Sequence, residues 1–144
     1  MPMTVKAKIN GKIVTLKEGK DYTVTYKNNK NIGVATVIIK GKGRCSGTIT
    51  KTFEIAPKGT KYSSVKREGN KIKATWIKQT VQTTGYQIQY SSSPTFKSGN
   101  RIVTVKGSNR NSLTINNLAS NKKFYFRIRT YKTVNGKNYY SSWS

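Results

Sequence analysis

Two arginines set two residues apart, Arg127 and Arg129, and an aromatic run at the end of the chain, Tyr140 to Ser144, come nearest to a constellation that could do chemistry. Residues two apart on a strand share a face. Both guanidinium planes can therefore stack on Tyr140 and Trp143, each contact contributing about 0.5–1 kcal/mol when exposed. Tyr125 and Tyr131 follow the same alternation and are expected to face outward beside the arginines. These six residues are the candidate binding or clasp set, and a structural clasp is the simpler reading of them.

Catalytic chemistry has little to work with. The chain contains no histidine, which removes the commonest general base and metal ligand. Its four acids are Glu18, Asp21, Glu54 and Glu68. Glu54 and Glu68 flank a linker, where solvated counterions to nearby lysines are a simpler reading than an acid–base pair. Cys45 is the single cysteine and cannot form an internal disulfide or a multi-cysteine zinc site; a free thiol of this kind behaves as a small hydrophobe. No catalytic residue, cofactor or metal site is expected, and an enzyme is not.

Twenty-eight lysines and arginines against those four acids give a net charge of +24 over 144 residues. Such an excess governs solubility, association and non-specific binding rather than fold. Lys6, Lys8, Lys71, Lys73, Lys122, Lys123, Arg127 and Arg129 fall at outward positions, so the charge is distributed. Anionic partners follow, with salt-sensitive binding. No specific nucleic-acid role is expected, because the exposed aromatics form no recognisable stacking platform. No apolar run is long enough to span a membrane, and the start of the chain is too polar for a signal peptide.

The elements that must hold these residues are strands. Period-two alternation of Val, Ile, Thr and Tyr recurs throughout, bounded by Gly, Asn and Lys clusters, and no 3.6-residue stripe persists. Five strands are expected before residue 57, near Val5 to Ile9, Ile13 to Leu16, Tyr22 to Tyr26, Val34 to Ile39 and Thr48 to Ile55. The fourth is apolar on both faces near Val37 and Ile38 and should lie centrally. Ala56-Pro57-Lys58-Gly59-Thr60 breaks the pattern and marks a boundary. Seven strands follow: Tyr62 to Arg67, Lys71 to Trp76, Tyr86 to Tyr90, Arg101 to Val105, Leu113 to Ile115, Phe124 to Thr130, and one from Asn138. The core of this second block is expected from Ile72, Ala74, Trp76, Tyr86, Ile88, Tyr90, Leu118, Phe124, Phe126 and Ile128, with the last four assigned to the closing strand. The fold class is all-β, as two tandem small β-sandwich domains.

KIKATW, GYQIQYS and SLTINNL, with Phe124 of FYFRIRTY six positions after Leu118, resemble a fibronectin type III domain over residues 58–144. TGYQIQYS, the paired arginines and NGKNYYSSWS resemble in particular the Lys-rich versions in surface proteins of Gram-positive, Clostridia-like bacteria. Phe124 stands where that family usually carries a corner tyrosine, so the corner hydroxyl bond should be absent. YSSWS is similar to the WSXWS box of cytokine receptors, with Tyr140 in place of the first tryptophan. LKEGKDYTVTYKNNKNIGVATVIIKGKGRCSGTITKTFEI, within residues 1–57, resembles a bacterial immunoglobulin-like repeat.

The resemblances imply that the first repeat lacks its opening strand and that the last strand of the second domain is truncated, leaving an open edge in a monomer or a strand-exchanged dimer. They also imply a non-catalytic structural or display module of a bacterial surface or secreted protein, extracellular, with loose association with an anionic cell-wall polymer. The alternative is an adhesin or host-protein-binding module engaging an immunoglobulin, mucin or matrix protein.

Overall fold

The computed structural model describes residues 3–144, and among them there are twelve β-strands and no helix. The chain divides into two compact units, one up to Ile55 and the other Ala56–Ser144.

In the first unit, β1 (Lys6–Ile9) and β2 (Lys12–Thr15) form a hairpin. Its two-residue turn, Asn10-Gly11, has positive φ at both positions, the conformation that matches strand twist and that Asn-Gly adopts at low cost. β3 (Tyr22–Lys27), β4 (Gly33–Gly41) and β5 (Thr48–Ile55) make an antiparallel sheet with β4 in the centre, where its apolar run placed it. Val5, Tyr22, Val37 and Ile39 form the small core, with Leu16 and Val24 packed against it. Coverage of β4 is uneven: Ala35 is fully buried, whereas Val34 on the opposite face is 46% exposed.

Seven strands form the second unit: β6 (Tyr62–Glu68), β7 (Lys71–Trp76), β8 (Gly85–Ser91), β9 (Arg101–Lys106), β10 (Ser112–Ile115), β11 (Tyr125–Val134) and β12 (Lys137–Tyr140). They lie in a three-stranded sheet, β10-β7-β6, and a four-stranded sheet, β12-β11-β8-β9, as a fibronectin type III sandwich requires. Ile72, Trp76, Tyr86, Ile88, Tyr90, Val105, Ile115, Leu118 and Ile128 form the core, with Phe124 and Phe126 packed against it. Leu118 and Phe124 precede β11 rather than belonging to it. Both cap the end of the core from the β10–β11 connection, a placement that alternation along a strand cannot express.

Two tyrosine hydroxyls have specific partners inside this unit. The Tyr86 hydroxyl, fully buried, donates to the Ser108 carbonyl at 2.6 Å and accepts from the Gln79 amide at 2.8 Å. The Tyr62 hydroxyl on β6 donates to the Arg127 carbonyl on β11 at 3.2 Å, and burial raises its pKa above the ordinary phenol value. Every buried side-chain nitrogen or oxygen among the described residues has a hydrogen-bond partner, as a satisfied interior demands.

Candidate functional site

The candidate residues meet on the outer face of the four-stranded sheet. β11 and β8 pair with Arg127 opposite Gln89, Arg129 opposite Gln87 and Tyr131 opposite Gly85. Period-two alternation turns Phe126, Ile128 and Thr130 inward and leaves the arginines on the outer row. Arg127 Nε donates to Gln89 Oε1 at 2.7 Å. Arg129 donates to Gln87 Oε1 from both Nε and an Nη, at 3.0 and 2.8 Å.

The end of the chain supplies the rings. Past β12, Ser141 and Ser144 each bond twice to β11. The Ser141 amide donates to the Thr130 carbonyl and its hydroxyl accepts from the Thr130 amide; Ser144 does the same with Ile128. The two serines are three residues apart while their partners are two apart, so the intervening chain bulges and carries Trp143 over the arginines. Arg129 lies 3.9 Å from the Tyr140 ring centroid and 4.3 Å from that of Trp143. Arg127 lies 4.8 Å from the Trp143 centroid and 4.3 Å from that of Phe96. The result is a column in which rings and guanidinium groups alternate from Phe96 through Arg127, Trp143 and Arg129 to Tyr140, with the Tyr131 ring packed on Tyr140.

Five of the six candidate residues, Arg127, Arg129, Tyr131, Tyr140 and Trp143, are thus in one cluster. Tyr125 stands apart, half-buried, with the Lys123 ammonium 5.2 Å from its ring centroid. Tyr131 corrects the expectation of an outward ring. It shares the outer row but is 4% exposed, because Gly85 opposite leaves room for the ring to lie down and Tyr140 packs on it. Phe96, Gln87 and Gln89 are members that arginine spacing did not point to. Their signal lay in GYQIQYS, where two glutamines repeat the spacing of the arginines they face.

Burial lowers the Arg129 guanidinium from its ordinary pKa; Tyr140 opposes that shift and Arg127 adds to it. Burial, with Tyr140, raises the Tyr131 phenol. Both arginines are already engaged by rings and glutamine oxygens, so the column ties the end of the chain to the sheet. It positions no nucleophile and no acid–base pair. Among the described residues no group of three or more His, Cys, Asp or Glu could hold a metal ion, and no helix is long and apolar enough to cross a membrane.

A second tie replaces the corner tyrosine. Arg67 at the end of β6 donates to the carbonyls of Lys122, Ala119 and Gly69 at 2.5, 2.6 and 3.0 Å, and lies 6.0 Å from the Phe124 ring centroid. The β10–β11 connection is held by a guanidinium from the facing sheet where a phenol hydroxyl at position 124 would ordinarily act.

In the first unit Asp21, 5% exposed, accepts from the Lys17 amide at 3.0 Å and pairs with Arg44 at 3.6 Å. Cys45 beside that arginine is half-buried.

No curated protein matches the chain. Among solved structures, the chicken CNTN1 FN1-FN3 domains are similar at 18% identity and a TM-score of 0.48, covering 79% of this chain and 40% of that one. Domains A168-A170 from titin are similar at 17% identity and a TM-score of 0.38, covering 99% of this chain and 53% of that one. The chain thus spans about half, or less, of the length of either. Residues 56–144 match the fibronectin type III domain, and through them the chain belongs to the fibronectin type III family.

Proposed function

We propose that the chain is a non-catalytic structural and display module of a bacterial surface or secreted protein. Its residues 58–144 act as a fibronectin type III domain, and residues 1–57 as an immunoglobulin-like repeat before it. The setting is the exterior of a Gram-positive cell, with loose association between the basic surface and an anionic cell-wall polymer. One observation carries this reading. The arginines that look most like a binding site are consumed in tying the fold together, while lysines such as Lys6, Lys8, Lys71, Lys73, Lys122 and Lys123 stay exposed. Charge held that way favours many weak contacts with a polyanion over one tight site.

The test is binding to purified cell wall, heparin, mucin and pooled serum proteins, at low salt and at about twice physiological ionic strength, where screening shortens the reach of exposed charge. The reading expects wall binding that falls steeply with salt and no saturable host-protein partner.

A second reading, an adhesin or host-protein-binding module for an immunoglobulin, mucin or matrix protein, is favoured by the first unit. There Tyr26 and Phe53, 51% and 40% exposed, pack edge to face on the sheet whose outer strand β5 is unpaired on one side. An edge of that kind suits strand addition. Saturable binding that survives high salt would select it.

A further inference from the structure

The antiparallel ladders keep like charges apart almost everywhere. Lysines and arginines stand opposite Thr, Gln, Tyr, Gly or an aliphatic residue, and Lys71 stands opposite Glu68. Among the described strands one pair breaks the pattern: Lys66 on β6 lies directly opposite Lys73 on β7. Two like charges placed so are destabilising, and in a chain this basic the exception is informative. Both residues are exposed, and no carboxylate forms an ion pair with either among the described residues.

The surroundings are hydroxylic. Ser64 and Thr75 form the next row on the same face, Thr114 stands opposite Lys73 on its other side, and Ser112 stands opposite Thr75. A shift in register between Tyr62 and Ser64 creates this arrangement. Tyr62 packs inward opposite Trp76, and without the irregularity Ser64, two residues on, would follow it; the bulge re-aims it outward beside Lys66. Ser64, Lys66, Lys73 and Thr75 alone line a groove of about 140 Å³.

We infer that this groove binds a tetrahedral oxyanion, the phosphodiester of a flexible polyol-phosphate polymer. Two ammonium groups supply point charges of the kind that bind phosphate, and the hydroxyls supply neutral donors. An anion between Lys66 and Lys73 removes the repulsion that the bare ladder carries. The outer row of this sheet, Ser64, Lys66, Glu68, Lys71, Lys73, Thr75, Ser112 and Thr114, has one acid, Glu68, set opposite Lys71, and no aromatic residue, so it offers bases nothing to stack on and favours a polymer without them. The inference rests on the wall-association reading and adds one localised contact to the many weak ones that the exposed lysines make.

The experiment compares the full chain with Lys66→Gln/Lys73→Gln and with a charge-matched control, Lys78→Gln/Lys97→Gln, both exposed and outside the groove. Amide shifts are followed during titration with inorganic phosphate, and affinity is measured for a polyol-phosphate polymer and for duplex DNA. The expected result is phosphate-dependent shifts at residues 64–66, 73–75 and 112–114, present in the control and absent from the groove variant. Polymer affinity should fall about tenfold in the groove variant and about twofold in the control, the small change expected of distributed charge. Added phosphate should also raise the thermal midpoint of the parent chain and the control but not of the groove variant, as any ligand of the folded state does. Equal losses in the two variants, shifts spread over the whole surface, or a larger groove-dependent loss on DNA than on the polymer would each overturn the assignment. If the groove shows localised phosphate shifts but the parent chain does not bind the wall, the wall-association reading fails and the oxyanion site stands.

Discussion

Tyr131 lies directly opposite Gly85 in the β11–β8 ladder, and its ring fills the space that a side chain at position 85 would need. A Cβ there would come within 2.2 Å of the Val105 carbonyl oxygen and 2.9 Å of the Tyr131 ring. The φ of Gly85 is not positive, so close approach rather than backbone conformation requires glycine. Gly85→Ala is expected to destabilise the second unit by about 1–3 kcal/mol, the usual cost of overpacking. Urea unfolding followed by tryptophan fluorescence, with Trp76 in that core, measures it; an unchanged midpoint would show that β9 can move aside freely.

Arg67 carries the corner of the sandwich. Arg67→Ala removes donors to the Ala119 and Lys122 carbonyls, and because the site is exposed the expected loss is about 1–2 kcal/mol rather than the upper range for charged hydrogen bonds. Arg67→Lys keeps the charge but not the fork, and should recover less than half of that loss. Amide hydrogen exchange across residues 119–123 is the direct readout, and faster exchange confined to that connection is expected.

Most strand positions were legible because alternation and turn chemistry agree. Asn10-Gly11 and Asn135-Gly136 both close two-residue hairpins with positive φ at each position, and the pairs Ile9–Lys12 and Val134–Lys137 register as those turns dictate. Leu118 and Phe124 were legible as core residues but not as connection residues, since burial comes from packing across the sandwich. The column on the outer face was legible in part. Arg127 and Arg129 announce it by spacing, and Tyr140 and Trp143 by composition. Phe96 arrives from the β8–β9 connection, whose path no local periodicity fixes. Arg67 in place of the corner hydroxyl was not legible, because its partners are backbone carbonyls more than 50 residues away.

Tyr62 should make the second unit sensitive to alkali. Its folded phenol is held above the ordinary pKa by burial, whereas the unfolded phenol ionises near 10. Below pH 10 both states keep the proton and stability is unaffected. Above it the unfolded state loses the proton first and binds fewer than the folded state, so stability falls as pH rises, by up to about 1.4 kcal/mol per pH unit for this group. Tyr62→Phe loses the bond to the Arg127 carbonyl, about 1 kcal/mol at neutral pH, but its stability should fall less steeply above pH 10. Parallel slopes for the two proteins would assign the alkaline loss to other groups.

Trp143 distinguishes a clasp from a ligand site. Its ring contacts both Arg127 and Arg129, and the two contacts plus its half-buried surface give an expected loss of about 1–3 kcal/mol for Trp143→Ala. Arg129→Lys keeps the charge while losing the paired bonds to Gln87 and the planar stack between Tyr140 and Trp143, and should cost about 1–2 kcal/mol. If the column is a clasp, both substitutions lower the unfolding midpoint in urea and leave affinity for a polyol-phosphate polymer within about twofold, since the net charge is unchanged and exposed lysines carry that affinity. The opposite pattern, lost affinity with the midpoint intact, would mean that the guanidinium groups leave the rings to meet the polymer. The engagement of Arg129 by two rings and a glutamine oxygen argues against that, because freeing it breaks all three contacts before any new one forms.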